Sequence, residues 1–238
     1  MVTNGTYHVS GASYQRADSL WIGSTYASRT RPILVRAQTT GGVTFDGGGS
    51  TYWIGLAFED GAHHQTWQGF TFANGKPTST GAIVFGGWAG KTAPHHITLR
   101  DITVTKTVTT DNGLGVTRDH ALYISQALGG VHDILVDGYT VDGAGGLDSA
   151  VNFGHETLPG SPNAWNVTVR NMKVTGTETT IILWESSVKN VLIEDSTITG
   201  ATRFAVRYEV PGTDIVLRRV VSTGSGVRGL YTPLGANP

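Results

Sequence analysis

The sequence of 238 residues contains no cysteine, which excludes disulfide frameworks and thiolate zinc sites. Charged residues make up only 15% of the chain and the net charge is -1, so composition gives no reason to expect nucleic acid as a partner. No apolar run approaches the length of about eighteen residues that a membrane helix needs, and we expect no membrane partner. Glycine is abundant, at 33 residues, which suits short strands joined by tight turns.

The chain repeats. Six segments share a pattern in which two short runs of alternating apolar residues flank a two-residue corner, whose second residue is Gly69, Asp101, Gly138, Asn171, Asp195 or Arg219. Glycine, asparagine and aspartate tolerate the left-handed backbone that a sharp corner needs. A third apolar run completes each repeat, aligned on Leu56, Ile83, Leu122, Val151, Ile182, Val206 and Leu230. Both alignments converge on a minimum repeat of 24 residues.

The segments NVTVRNMKVTG and NVLIEDSTITG resemble the generic repeat of the pectate-lyase-like superfamily of right-handed parallel β-helices. The resemblance covers residues 30–232 and implies an all-β solenoid of three parallel sheets, with about seven turns. We expect residues 1–238 to form a single β-helix domain that is a fragment of a longer chain, because both ends lie in strand-like sequence. Members of this superfamily act on or bind polysaccharides. We therefore also expect a secreted or cell-surface bacterial protein, although the chain shows no signal peptide.

The same alignment predicts the core. The inward positions of the first strand in each repeat are Phe58, Phe85, Ile124, Phe153, Trp184 and Tyr208. Those of the third strand are Phe72, Val104, Val141, Val174 and Ile198. Side chains stacked one repeat apart, about 4.8 Å, would bury a narrow continuous core that requires no cofactor.

Unequal insertions predict a groove on one side of the repeat. Segments 86–94, 106–119 and 154–165 are long and flank the strand ALYIS, whose column carries outward polar residues. The catalytic candidates are Asp119, Tyr123, Asp148, His155, Glu185, Arg207 and Glu209. The substrate-binding candidates are Trp88, Asn152, Glu156, Trp165 and Arg203. Indole faces pack on sugar rings, and carboxylate or guanidinium groups bind sugar hydroxyl or acid groups.

Glu185 and Glu209 are separated by 24 residues, one minimum repeat, so we expect their carboxyl groups to stack about 4.8 Å apart beside Arg207. Two carboxylates that close disfavour joint ionisation, which would raise the pKa of one acid unless Arg207 neutralises the pair. The trio is therefore either a catalytic site or a surface ion-pair ladder.

Other polar residues also have two interpretations. Asp119 and His120 fit either a site or an ordinary strand corner, and Trp88 and Trp165 either bind sugar or pin their loops. The pairs His63–His64 and His95–His96 precede strands in adjacent repeats, which suits a metal site or a stack of corner residues. Their matching offset favours the corner. The metal content is left open, with Ca²⁺ as a candidate ion near Asp119 and Asp148.

The function predicted from the resemblance is a lyase or glycosidase acting on a uronate-containing polysaccharide. The best-known motifs of the superfamily are only partly present. FGHE at 153–156 matches part of the Gly-His-Gly element of the hydrolases, and RFAVR at 203–207 lacks the proline of the lyase arginine motif. The alternative is a non-catalytic adhesin, tailspike-like or structural module, which could associate end to end. Two parallel columns of outward threonine side chains, interrupted by Asp46, Asp142 and Lys173, also suit an ice-binding solenoid.

Overall fold

A computed structural model describes residues 1–8, 20–22, 32–49, 55–76, 81–86, 92–105, 119–124, 130–154, 164–183, 188–208 and 213–231. These residues form an all-β structure in which every strand pairing is parallel. They include no helix long and apolar enough to cross a membrane. The prediction of an all-β fold with parallel sheets is confirmed.

The strands of the described residues, in chain order, are β1 (Gly5–His8), β2 (Leu20–Ile22), β3 (Ile33–Arg36), β4 (Val43–Asp46), β5 (Leu56–Phe58), β6 (His63–Gln68), β7 (Phe70–Ala73), β8 (Gly81–Phe85), β9 (His95–Thr105), β10 (His120–Ile124), β11 (Val131–Leu147), β12 (Ser149–Phe153), β13 (Ala164–Arg170), β14 (Lys173–Thr177), β15 (Thr179–Leu183), β16 (Val188–Thr199), β17 (Phe204–Tyr208), β18 (Thr213–Thr223) and β19 (Arg228–Tyr231). One sheet has eight strands, in the order β19-β17-β15-β12-β10-β8-β5-β2, and the other has eleven.

From β8 onwards the chain alternates between the two sheets, except that β13 and β14 follow one another in the eleven-stranded sheet, and strands pair with those one repeat away. The sequence predicted three sheets, and the described residues form two because strands such as β9 and β18 continue through the corner. At that corner the backbone turns at a single left-handed residue and the ladder of hydrogen bonds resumes on the far side.

The predicted corner residues all have positive φ, from 50° at Asp195 to 82° at Gly69. Glycine is favoured at position 138 because a Cβ atom there would lie 2.8 Å from Asp101 Oδ1. Arg219, the residue least suited to this backbone, has φ 52° and its guanidinium donates to Asp195 at 2.5 and 2.7 Å. The prediction of a left-handed corner in each repeat is confirmed at every one of these positions.

A second left-handed corner precedes the first, and the sequence did not reveal it except at the histidine pairs. Its residues are His64, His96, Asp133, Asn166, Asn190 and Asp214, with φ between 52° and 59°. Amide side chains link successive repeats here, since Asn166 donates to Asp133 at 3.1 Å and Asn190 donates to Asn166 at 2.5 Å. The corner interpretation of His64 and His96 is confirmed.

The core follows the predicted register with one correction. Phe72, Val104, Val141, Val174 and Ile198 pair in sequence and are buried. In the eight-stranded sheet, Val151 pairs with Ile181 rather than with Ile182, and Phe153 pairs with Leu183. Leu183 therefore occupies the core position that the sequence assigned to Trp184, which lies outside the described residues. This shift of one residue matters for the site.

Apolar side chains are exposed on the terminal repeats. On β18 and β19 they are Val216, Leu217, Val221 and Leu230, and on β3 the exposed apolar side chain is Leu34. A strand at the end of a stack lacks a neighbour on one side, so its apolar side chains have less to pack against. End-to-end association stays a prediction.

Candidate functional site

Three acids and an arginine form a column along the N-terminal ends of strands in the eight-stranded sheet. Asp119, Asp148, Glu178 and Arg203 each immediately precede a strand, β10, β12, β15 and β17 in turn. Backbone hydrogen bonds stack these positions: the Asp148 amide donates to the Asp119 carbonyl at 3.0 Å, and the Arg203 amide donates to the Glu178 carbonyl at 2.8 Å. The Thr179 amide donates to the Asp148 carbonyl at 2.8 Å. We call Asp119, Asp148 and Glu178 the acidic column.

Burial differs along the acidic column. Asp119 is 1% exposed, the side chain of Asp148 is 13% exposed, and that of Glu178 is 32% exposed. Glu178 accepts a hydrogen bond from Arg203 Nη1 at 2.8 Å, so its carboxylate has a cationic partner. The middle acid of the column is therefore enclosed, while the third reaches solvent.

Asp148 is the acid most affected by this arrangement. Burial raises the pKa of Asp148 from 3.8 to about 7, and the negative charges of Glu178 and Asp119 add to the shift. Arg207 and Arg203 oppose it. Near neutral pH this carboxyl group thus carries its proton in a substantial fraction of molecules, which is the state that a general acid requires.

His120 lies between the acidic column and the outer face of the sheet. Its Nε2 accepts from Asn152 Nδ2 at 2.8 Å, so its Nδ1 carries the proton and faces Ser149 Oγ at 2.8 Å and Asp148 Oδ2 at 3.5 Å. The ring stacks on Tyr123, with centroids 5.2 Å apart. The network fixes the orientation of the His120 ring.

This network is not a nucleophilic serine triad. A triad has the serine on one imidazole nitrogen and the acid on the other, whereas Ser149 and Asp148 both face Nδ1 of His120. Ser149 is also fully buried. The hydroxyl of Ser149 therefore orients the imidazole and does not reach a substrate.

Asn152 Oδ1 is the unsatisfied atom of the site. Asn152 is 1% exposed, and within the described residues its Oδ1 accepts no hydrogen bond. A buried acceptor left without a donor costs about 1–3 kcal/mol. The atom lies beside the acid–imidazole network but is shielded from solvent, so like Ser149 it does not reach a substrate.

The outward column of the sheet runs through Tyr123, Asn152, Ile182, Arg207 and Tyr231, which pair in register. Arg207 is partly exposed and lowers the pKa of Asp148, as a cation close to that carboxyl would. The structure thus brings together six of the residues selected from sequence: Asp119, Tyr123, Asp148, Asn152, Arg203 and Arg207. Glu178, His120 and Ser149 complete the cluster.

The other predicted site residues lie elsewhere. Trp88, His155, Glu156, Glu185 and Glu209 lie outside the described residues. Trp165 belongs to β13 of the eleven-stranded sheet, where its ring stacks on His132 at 4.1 Å, rather than to a loop beside Tyr123. Leu183 pairs with Tyr208, an offset of 25 residues, so the offset of 24 on which the stacking of Glu185 over Glu209 depends does not hold between β15 and β17.

Sequence reasoning missed Glu178 because of the same register error. Placing Ile182 opposite Val151 puts Thr179 in the column of Asp148, whereas the observed pairing with Ile181 puts Glu178 there. A signal was available, since with Ile181 the corresponding residues three positions earlier are Asp119, Asp148, Glu178 and Arg203.

The acidic column does not form a three-ligand cation site. Among the described residues, the group of three metal-ligating side chains with donor atoms within 4.8 Å of one another is His95, His96 and His132, in the other sheet. Calcium near Asp119 and Asp148 stays a sequence-based expectation.

Comparison with known proteins gives little beyond the geometry. No protein-family model and no curated protein matches the sequence. A similar solved structure is the catalytic unit of a thermostable GH87 alpha-1,3-glucanase from Streptomyces thermodiastaticus strain HF3-3, at 14% identity and a TM-score of 0.33. The match covers 99% of this chain and 60% of that one. At this TM-score the likeness assigns neither a fold nor an activity to this chain.

Proposed function

We propose that the chain is a carbohydrate-active enzyme that hydrolyses glycosidic bonds of an extended polysaccharide on the outer face of the eight-stranded sheet. The observation that carries this proposal is Asp148, an acid with a pKa raised to about 7 between two further carboxyl groups. Glycosidases use one carboxyl group that holds its proton near neutral pH and a second that is ionised.

In the proposed reaction Asp148 donates its proton to the glycosidic oxygen as the bond to the anomeric carbon breaks. Glu178 is the ionised partner, because it reaches solvent and pairs with Arg203. Carboxyl groups one repeat, about 4.8 Å, apart leave no room for a water between them, so the Glu178 oxygen bonds to the anomeric carbon as the glycosidic bond breaks. In the second step Asp148 takes a proton from a water whose oxygen displaces Glu178 from the anomeric carbon, which returns both acids to their starting states. Asp119 is too buried to contact the water, and its charge helps to keep Asp148 protonated.

The neighbouring residues fit substrate recognition. Tyr123 offers a ring and a hydroxyl group on the outward column of the sheet. Arg207 beside Asp148 favours a uronate carboxylate at the adjacent position. Because an arginine next to a uronate also suits elimination, a lyase that uses Arg207 is the second candidate.

A β-helix would present a surface suited to a polymer substrate. We infer that the parallel strands wind as a right-handed β-helix of about seven turns, since eight strands of one sheet alternate with strands of the other. The sheet then presents a long regular face that an extended chain can follow. A polymer of this kind implies that the protein acts outside the cell.

The test is hydrolysis of a panel of neutral and uronate-containing polysaccharides by the wild type and by Asp148→Asn. We expect new reducing ends with the wild type and a rate at least about 100-fold lower with Asp148→Asn. The matched control is Asp142→Asn, which changes an exposed aspartate of β11 in the other sheet and should leave the rate unchanged. Thermal unfolding of both variants checks that the fold is intact.

The outcomes separate the candidates. An ultraviolet absorbance of unsaturated product alongside the new ends would indicate a lyase. Binding without either product would indicate a non-catalytic module, and full activity of Asp148→Asn would remove Asp148 from the reaction.

A further inference from the structure

Histidines stack in a column on the eleven-stranded sheet, away from the acidic column. His63, His95, His132 and Trp165 pair in register, and their rings lie parallel with centroids 5.0, 4.9 and 4.1 Å apart. The next residue in each repeat lies in the left-handed second corner, and His64 stacks on His96 at 4.7 Å. Five imidazoles thus meet at one edge of the fold.

The nitrogen atoms of these rings converge. Nδ1 of His95 lies 2.8 Å from Nδ1 of His96, and Nδ1 of His96 lies 3.6 Å from Asp133 Oδ2. The same oxygen lies 2.8 Å from Nδ1 of His132. The donor atoms of His95, His96 and His132 all lie within 4.8 Å of one another. Three imidazoles and one carboxylate from two successive repeats therefore form a compact set of nitrogen and oxygen donors.

The corner backbone does not by itself explain this set. The second corner tolerates histidine, but the other repeats use Asp133, Asn166, Asn190 and Asp214 there. The backbone likewise makes no demand for histidine at 63, 95 and 132, positions taken in the next repeats by Trp165 and Lys189. Histidine is concentrated in three neighbouring repeats, where its side chains face one another.

We propose that His95, His96, His132 and Asp133 bind a divalent transition-metal ion of the Zn²⁺, Ni²⁺ or Cu²⁺ class. Imidazole and carboxylate donors suit these ions, and the chain offers no thiolate that would select another metal. A tetrahedral zinc site requires about 3.3 Å between nitrogen ligands, for zinc–nitrogen bonds of about 2.0–2.1 Å. The Nδ1 atoms of His95 and His96, 2.8 Å apart, would have to separate by about 0.5 Å to bind one zinc ion.

The site is independent of the proposed glycosidase activity, because its residues lie in β9 and β11 of the other sheet. Its test uses the full chain without a histidine tag, treated with a chelator and dialysed. Isothermal titration with Zn²⁺ and Ni²⁺ should show one ion per chain, and Mg²⁺ should not bind. Zn²⁺ should also raise the melting temperature, since a ligand that binds the folded state stabilises it.

Two variants and a control assign the ligands. His96→Asn introduces the residue that Asn166 and Asn190 already provide at this corner, and His132→Gln keeps a polar side chain of similar length. We expect each to weaken Zn²⁺ binding at least about tenfold. The control is His8→Gln, which changes an exposed histidine elsewhere and should leave the affinity unchanged.

A wild-type chain that binds Zn²⁺ and Ni²⁺ no better than Mg²⁺ would overturn the proposal, and so would variants that bind as tightly as the wild type. If a variant unfolds, the absorption spectrum of Co²⁺ added to the wild type decides. Intense visible bands of tetrahedral nitrogen coordination support the site, and the weak spectrum of hydrated Co²⁺ contradicts it.

Discussion

The acidic column and the histidine column are built by the same repeat and show opposite consequences of the same physics. In both, side chains of like type are stacked about 4.8 Å apart and partly removed from water. Burial and like charge disfavour ionisation, so the pKa of Asp148 rises to about 7 and that of His95 falls to about 4. At pH 7 Asp148 and His95 are therefore both less charged than the same groups would be in water.

Neutrality has different chemical meanings in the two columns. A neutral carboxyl group carries a proton that it can donate, whereas a neutral imidazole has a lone pair that it can offer to a metal ion or a proton. A parallel stack of repeats therefore produces an acid on one sheet and a ligand set on the other. The acidic column also has cationic neighbours: Arg203 donates a hydrogen bond to Glu178, and Arg207 lowers the pKa of Asp148.

The largest expected effect comes from removing the ionised partner of Asp148. Glu178→Gln should lower the rate of polysaccharide hydrolysis at least about 100-fold, because no carboxylate would bond to the anomeric carbon. It should also lower the pKa of Asp148, since the Glu178 charge raises it. Carboxyl ¹³C NMR of aspartate-labelled protein measures this second effect without a substrate.

The control for that variant is Glu194→Gln on β16 of the other sheet, which removes a carboxylate paired with Arg218 and Arg219. It should leave both the rate and the Asp148 titration unchanged. An unchanged Asp148 titration in Glu178→Gln would show that the acidic column is not electrostatically coupled.

The second prediction compares how Asp148 and His95 change the free energy of unfolding with pH. Asp148 keeps its proton up to about pH 7 when folded and loses it near 3.8 when unfolded, so its contribution to the free energy of unfolding falls as pH rises between these values. The slope is about 1.4 kcal/mol per pH unit. His95 stays neutral down to about pH 4 when folded and gains its proton near 6.5 when unfolded, so its contribution falls as pH decreases.

Chemical denaturation of metal-free protein between pH 4 and 7 measures both terms. Asp148→Asn should leave stability that increases with pH, and His95→Gln should leave stability that decreases with pH. The carboxylates of Asp133, Asp137 and Asp195, whose pKa values are lowered, contribute their slopes only below pH 3.8. Identical pH profiles for the two variants would contradict the comparison.

The smallest expected effect concerns the terminal repeat, where neither column extends. Val221 is 56% exposed on β18, and we expect this apolar surface to support weak end-to-end association. Val221→Lys should abolish concentration-dependent association in sedimentation velocity and leave the melting temperature within a few degrees. Thr199→Lys, on the same face of β16, is the matched control.

The repeat and its corners could be predicted from sequence because they depend on local chemistry. Left-handed corners select glycine, asparagine and aspartate, and alternating apolar residues mark the buried face at Phe72 and Val104. The register between repeats depends on pairing across loops of unequal length, and the apolar runs alone do not fix it. They favour Ile182 where the structure pairs Ile181, which reverses the face predicted for Leu183.

The candidate site was predicted only in part for the same reason. Asp119 and Asp148 precede strands whose register is correct, and a backbone hydrogen bond joins them. Glu178 depended on the shifted strand. The spacing of 37 residues between the corners Asp101 and Gly138 also places His132 and Asp133 opposite His95 and His96, a signal that the interpretation of the sequence left unused.

The most direct test of the account is the titration of Asp148 itself. Carboxyl ¹³C NMR of aspartate-labelled protein, compared with Asp148→Asn to assign the resonance, should show Asp148 titrating at about pH 7. A midpoint near 3.9, the value of an unperturbed aspartate, would contradict both the enclosed acidic column and the general acid proposed from it.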